Sequence, residues 1–95
     1  MPVLLLEVRV PVGRVNGKVE ALQEALTLAR QQPGYKGGRF LRSRKDPCKL
    51  LMVTEWEDEE AWEMFLDSPE LAAWVERTWT TLGPLSRREV YDALD

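Results

Sequence analysis

Four consecutive apolar residues, Leu50-Leu51-Met52-Val53, sit inside a strand-like stretch that runs from Lys49 to Trp56. Successive side chains of a strand point to opposite faces, so both faces of this one are apolar. A strand of that kind needs cover on both sides. In a four-stranded sheet with helices on one side, the second cover has to come from elsewhere, and a partner subunit is the simplest source. Ninety-five residues suffice for one domain over residues 1–95 with a thin core, which association would reinforce.

The remaining elements follow from local signals. Val3–Pro11 reads as a first strand, with Leu6, Val8 and Val10 alternating against Glu7 and Arg9. Asn16 is placed to cap a helix that runs to about Gln32, with Val19, Leu22, Leu26 and Ala29 at helical spacing. Pro33-Gly34 ends it. Tyr35–Lys45 reads as a second strand, in which Gly37-Gly38 predicts a bulge or a close backbone approach. Lys45-Asp46-Pro47-Cys48 is a hairpin turn leading into the Lys49–Trp56 strand. Asp58 caps a short helix with Ala61, Met64 and Phe65 as its inner stripe. Ser68-Pro69-Glu70 restarts a further helix, striped by Leu71, Trp74, Val75, Thr78, Trp79 and Leu82 and ended by Gly83-Pro84. Leu85–Tyr91 is a last strand. The order β-α-β-β-α-β predicts a ferredoxin-like α+β fold with an antiparallel four-stranded sheet.

Composition narrows the chemistry. With 44% hydrophobic and 31% charged residues the chain is not a candidate for disorder. No run is long enough to span a bilayer, and Met1-Pro2 leads into Val3 without a basic signal-peptide start, so a cytoplasmic protein with no membrane contact is expected. Cys48 is the single cysteine, which excludes an internal disulfide. There is no histidine, which removes the usual acid–base residue and the imidazole ligand for a metal or a haem. No metal-ligand spacing is present. The net charge of −3 argues against nucleic acid. Charge is unevenly spread, however. Residues 36–49 hold Lys36, Arg39, Arg42, Arg44, Lys45 and Lys49 against Asp46 alone, whereas residues 55–70 hold eight acids and no base. Such runs are ordinarily solvated faces, and otherwise complementary surfaces within the fold or across a dimer.

The stretch from Pro33 to Leu82 carries a family likeness. Pro33-Gly34-Tyr35 comes first, then Leu41-Arg42-Ser43, a turn with Asp46-Pro47, a strand ending in Glu55-Trp56, Ala61, and Phe65-Leu66-Asp67-Ser68-Pro69-Glu70-Leu71. In order and spacing this resembles the antibiotic-biosynthesis-monooxygenase (ABM) family, whose ferredoxin-like subunits pair as dimeric α/β barrels. The resemblance implies a homodimer. It also implies a small-molecule monooxygenase working without metal or organic cofactor on an aromatic or quinol-type substrate, or a non-catalytic barrel binding a small hydrophobic ligand, or a structural or regulatory interaction domain. The family's haem-degrading branch uses an Asn, a Trp and a His. Aligned through Trp56 and Phe65-Leu66, these fall on Val8, Phe65, and Val75 or Trp74, so the triad is absent.

Cofactor-free oxygenation needs a dry aromatic pocket, an orienting hydrogen bond and sometimes a base. Trp62, Phe65, Trp74 and Trp79 are the candidates to line such a pocket between sheet and helices. Tyr35, Arg39 or Tyr91 could orient a phenol oxygen, and Glu7 or Glu55 could serve as a base. Against this stand plainer readings. Trp74 and Trp79 at helical spacing suit the core, Trp56 suits a structural strand end, and the strand charges suit ion pairs. Trp62 lies beside Ala61 rather than on the inner stripe, and of the four tryptophans it is the best placed to meet a ligand or partner.

Overall fold

The computed structural model describes residues 1–10, 15–82 and 87–94, with side chains described for 1–10, 19–78 and 87–94. Its elements are β1 (Pro2–Arg9), α1 (Val15–Arg30), β2 (Tyr35–Arg42), β3 (Lys49–Trp56), α2 (Glu59–Leu66), α3 (Pro69–Leu82) and β4 (Arg87–Asp92). The strands form one antiparallel sheet in the order β2-β3-β1-β4. This is the expected ferredoxin-like α+β arrangement.

One side of the sheet carries the core. Leu4, Leu6, Val8 and Val10 from β1 and the residue after it alternate inward, as do Leu50, Met52 and Trp56 of β3. They meet Leu22, Ala25, Leu26 and Ala29 of α1, Ala61 and Phe65 of α2, and Leu71 and Trp74 of α3. Burying a large apolar side chain contributes about 1.5–3 kcal/mol, so this alternation dictates which way each element turns. Thr54 is the polar member of the β3 stripe, fully buried, and its Oγ1 accepts the indole N–H of Trp56 at 2.8 Å. That pairing satisfies both groups away from water.

Turns and caps bear out much of the local reading. The Asp58 carboxylate accepts the Ala61 N–H at 2.9 Å, and the Ser68 hydroxyl accepts that of Leu71 at 3.2 Å. Both helices therefore start where a short polar side chain meets an otherwise unpartnered donor. Gly34 has φ +85°, and a Cβ there would lie 2.5 Å from the Cβ of Ala61. The β2–β3 register skips Lys36, which makes the bulge, while Gly38 is the close approach, hemmed in by Leu26 and the Tyr35 hydroxyl.

Three expectations are corrected. Asn16 lies inside α1, which already begins at Val15, so it does not cap the helix. β2 stops at Arg42 rather than Lys45 because the next residues close a turn on themselves. In that turn Asp46 N–H donates to the Ser43 hydroxyl, Cys48 N–H to the Asp46 carboxylate, and Lys49 N–H to the Asp46 carbonyl. Met64 is 56% exposed and points away from the core, since the eight-residue α2 is long enough to bury only Ala61 and Phe65 fully. β4 begins at Arg87, and the Gly83-Pro84 helix stop and the strand start at Leu85 lie outside the described residues.

Among the described residues the opposite side of the sheet carries no helix. Val3 and Leu5 of β1, Leu41 of β2, and Leu51 and Val53 of β3 line it, and all five keep some exposure. Charged residues share this face, with Glu7 bridged to Lys49 at 3.3 Å and Arg87 beside Glu89.

Candidate functional site

Among the described residues the helix layer leaves β4 largely uncovered. Val90, on the helix side of that strand opposite Leu4, is 41% exposed. A groove follows between β4 and the adjacent side of α2. From α2 and its C-cap it takes Glu59, Trp62, Glu63, Leu66 and Asp67, which recur at the spacing of one helical side. From β4 it takes Arg88, Val90 and Asp92, which alternate toward that side of the sheet. Two adjoining hollows make it up. One, of about 390 Å³, is bounded by Trp62, Glu63, Leu66, Asp67 and Arg88. The other, of about 520 Å³, is bounded by Pro2, Glu59, Trp62, Val90 and Asp92.

Trp62 walls both hollows. Its Nε1–H is buried and finds no acceptor among the described residues. A buried donor left unmatched costs about 1–3 kcal/mol, and native proteins keep few of them. The indole ring thus walls the wide groove on the helix side of β4, while its nitrogen is buried away from it. Arg88 supplies a guanidinium at one end, and Glu59, Glu63, Asp67 and Asp92 supply carboxylates along the rims.

Of the six candidate residues, the five whose side chains are described do not converge. Among these five, Trp62 alone lies on this groove. Phe65 is buried and stacks on Trp56, with ring centroids 5.2 Å apart. Trp74 is buried and donates its indole N–H to the Ala21 carbonyl at 2.8 Å. Tyr35 meets Trp56 edge-on at 5.7 Å. Arg39 points to the opposite face of the sheet, at a hollow of about 150 Å³ shared with Gly37, Gly38, Val53 and Glu55. The side chain of Trp79 lies outside the described residues. Of the candidate bases, Glu7 is tied to Lys49 and Glu55 is exposed on that same helix-free face. Tyr91 also faces that way and donates to Glu89, a bond that raises the phenol's pKa, with burial adding to it. Arg88 was not singled out from the sequence. Its alternation with Val90, on the side opposite Arg87 and Glu89, was the available signal.

Among the described residues no cluster of potential metal ligands occurs, and no helix is long and apolar enough to cross a membrane.

Comparison with known proteins agrees with this architecture. A family model described as antibiotic biosynthesis monooxygenase matches residues 1–77. A mycobilin-producing haem oxygenase of Mycobacterium tuberculosis is 28% identical over 74 residues, covering 77% of this chain and 70% of the relative. Among solved structures, a mutant form of the cofactor-independent oxygenase SnoaB of Streptomyces nogalater superposes with a TM-score of 0.81 at 15% identity, covering 99% of this chain and 93% of that one. An antibiotic biosynthesis monooxygenase structure gives a TM-score of 0.78 at 15% identity, with full coverage of both chains. At these identities the structural likeness speaks for the fold.

Proposed function

From the premise that the chain belongs to the antibiotic biosynthesis monooxygenase family, we propose that it is a cofactor-independent monooxygenase for an aromatic or quinol-type substrate, acting as a homodimer. The observation that carries the site is Trp62, which walls both hollows of the α2–β4 groove and whose Nε1–H has no acceptor among the described residues. Once the indole turns to bring that donor to the groove, a phenolic or keto oxygen is an acceptor of the right kind for it, and the indole and Val90 offer apolar walls for a ring. The substrate's own carbanion or phenolate supplies the electrons. Oxidation of an activated ring CH₂ to C=O by O₂ releases one water, so the balance needs no external reductant. In this reading Arg88, which bounds the same groove, stabilises negative charge as it develops on the substrate oxygen.

Haem does not fit these residues. The positions of the haem-degrading triad hold Val8 and Phe65, both buried in close packing, and Val75 or Trp74, with Trp74 already bonded to Ala21. The chain has no histidine to serve as the axial ligand.

A homodimer would cover the helix-free face. That face offers an apolar patch together with charges of both signs, which a second copy can match by symmetry. A second reading, a barrel that binds a small hydrophobic ligand without turning it over, is favoured by the interior packing. Trp56, Phe65 and Trp74 fill the space between sheet and helices, leaving ligand room at the β4 edge.

Oxygen uptake against a panel of quinols and anthrone-like phenols separates the two. The oxygenase reading expects uptake by the wild type that falls at least tenfold in W62A. Saturable quenching of tryptophan fluorescence without oxygen uptake would leave the binding reading in its place. Neither uptake nor quenching across the panel would remove both.

A further inference from the structure

Glu7 has an unusual position. It sits on β1, an interior strand of the sheet, and its side chain points to the helix-free face. Although no helix or strand among the described residues covers that face, only 12% of the Glu7 side chain is exposed. Its cross-strand neighbours are Leu51 on β3 and Arg87 on β4, and the Lys49 ammonium lies 3.3 Å from its carboxylate. Arg9 on the same strand is occupied by Asp46, and Arg87 lies by Glu89. The face therefore interleaves the two kinds of residue along its length: Val3, Leu5, Leu41, Leu51 and Val53 alternate across the strands with Glu7, Arg9, Arg39, Lys49, Glu55, Arg87 and Glu89. Of these charged residues Glu7 is the buried one.

We propose that the Glu7–Lys49 pair fixes the register in which a second copy of the chain docks on this face. The inference rests on the homodimer reading given above. An apolar surface alone accepts several alignments of similar energy, whereas a desolvated ion pair tolerates few. Covering the face removes the remaining water from both groups. The cost is offset only where the partner presents polar or charged groups to the pair. A partner displaced by two residues, about 7 Å along a strand, would set different side chains, apolar ones among them, over the carboxylate. Replacing both charges with apolar residues should keep the association and lose its uniqueness. Removing the lysine alone should weaken the association, because Glu7 is then buried without a counter-ion.

The test uses the full chain with C48S, spin-labelled at Q23C on the exposed side of α1, well away from the face. Light scattering gives the mass, and electron–electron double resonance gives the distances between subunits. The expected wild-type result is a dimer with one narrow distance. E7L/K49L should remain associated with a broad or multiple distribution. K49L should raise the dissociation constant by about 100-fold or more. Should E7L/K49L fail to fold by circular dichroism, E7M/K49M takes its place, and K49L is read independently. A single narrow distance in the double variant, or an unchanged dissociation constant in K49L, overturns the register role while leaving the dimer intact. A monomeric wild type instead removes the dimer reading beneath it.

Discussion

At the scale of single residues, two positions decide more than their neighbours. Gly34 combines a left-handed backbone with direct contact between its α-carbon region and Ala61. An alanine there would carry the left-handed penalty of about 1–2 kcal/mol and also push against α2. We expect G34A to lower the melting temperature by at least about 5 °C, read by circular dichroism, and a melting temperature within a degree of wild type would contradict this account. Asp46 is the second. Its carboxyl pKa is held below the ordinary 3.8, chiefly by the hydrogen bond from Arg9 and further by the Cys48 N–H, against an opposing effect of burial. A depressed folded-state pKa gives stabilisation that is complete above 3.8 and is lost as pH falls through the lower, folded value. R9Q should therefore move the Asp46 titration upward, as followed by carboxyl-carbon NMR. Pro33-Gly34 was legible in the sequence as a helix stop, because φ above zero is a property of the residue type. The Arg9–Asp46 pair was not, because the two lie far apart in the chain and only the β1–β3 pairing brings them together.

Helix entries give the clearest predictions at the scale of elements. Ser68 both accepts the Leu71 N–H and donates to the Phe65 carbonyl at 2.7 Å, so it ends α2 and starts α3 with one hydroxyl. S68A should cost about 1–2 kcal/mol, and D58A, which loses a single cap bond, about 1 kcal/mol. Equal losses in urea melts would show that the second bond of Ser68 contributes nothing. These caps could be read from Asp58 and Ser68-Pro69 because capping is local chemistry. The two sides of α2 were harder to assign. Ala61, Met64 and Phe65 share a stripe by spacing, yet Met64 is exposed and Trp62 is half-buried. A helix of two turns is oriented by what it packs on, and the sequence does not state that β4 lies uncovered beside it. For the same reason the aromatic candidates were legible as types and not as a site. Phe65 and Trp74 meet the core, Tyr35 meets Trp56, and Arg39 crosses to the other face, each by strand or helix parity set in the folded chain.

For the whole molecule, the apolar run Leu50–Val53 predicted a strand in need of cover on two sides, and one of these sides is indeed the core. The other, with Leu51 and Val53, leads to a prediction about assembly. The wild type should run as a dimer in light scattering at micromolar concentration, and L51E should run as a monomer while keeping its circular dichroism spectrum. A monomeric wild type would contradict the assignment. β2, one of the two outer strands together with β4, has a different consequence. Its free edge carries the Lys36 bulge and the exposed bases Arg39 and Arg42, and irregularity and like charge both discourage strands of other molecules from adding on. Concentrated solutions of this protein should accordingly resist conversion to amyloid fibres, and erasing those three cations should shorten the lag before thioflavin fluorescence rises.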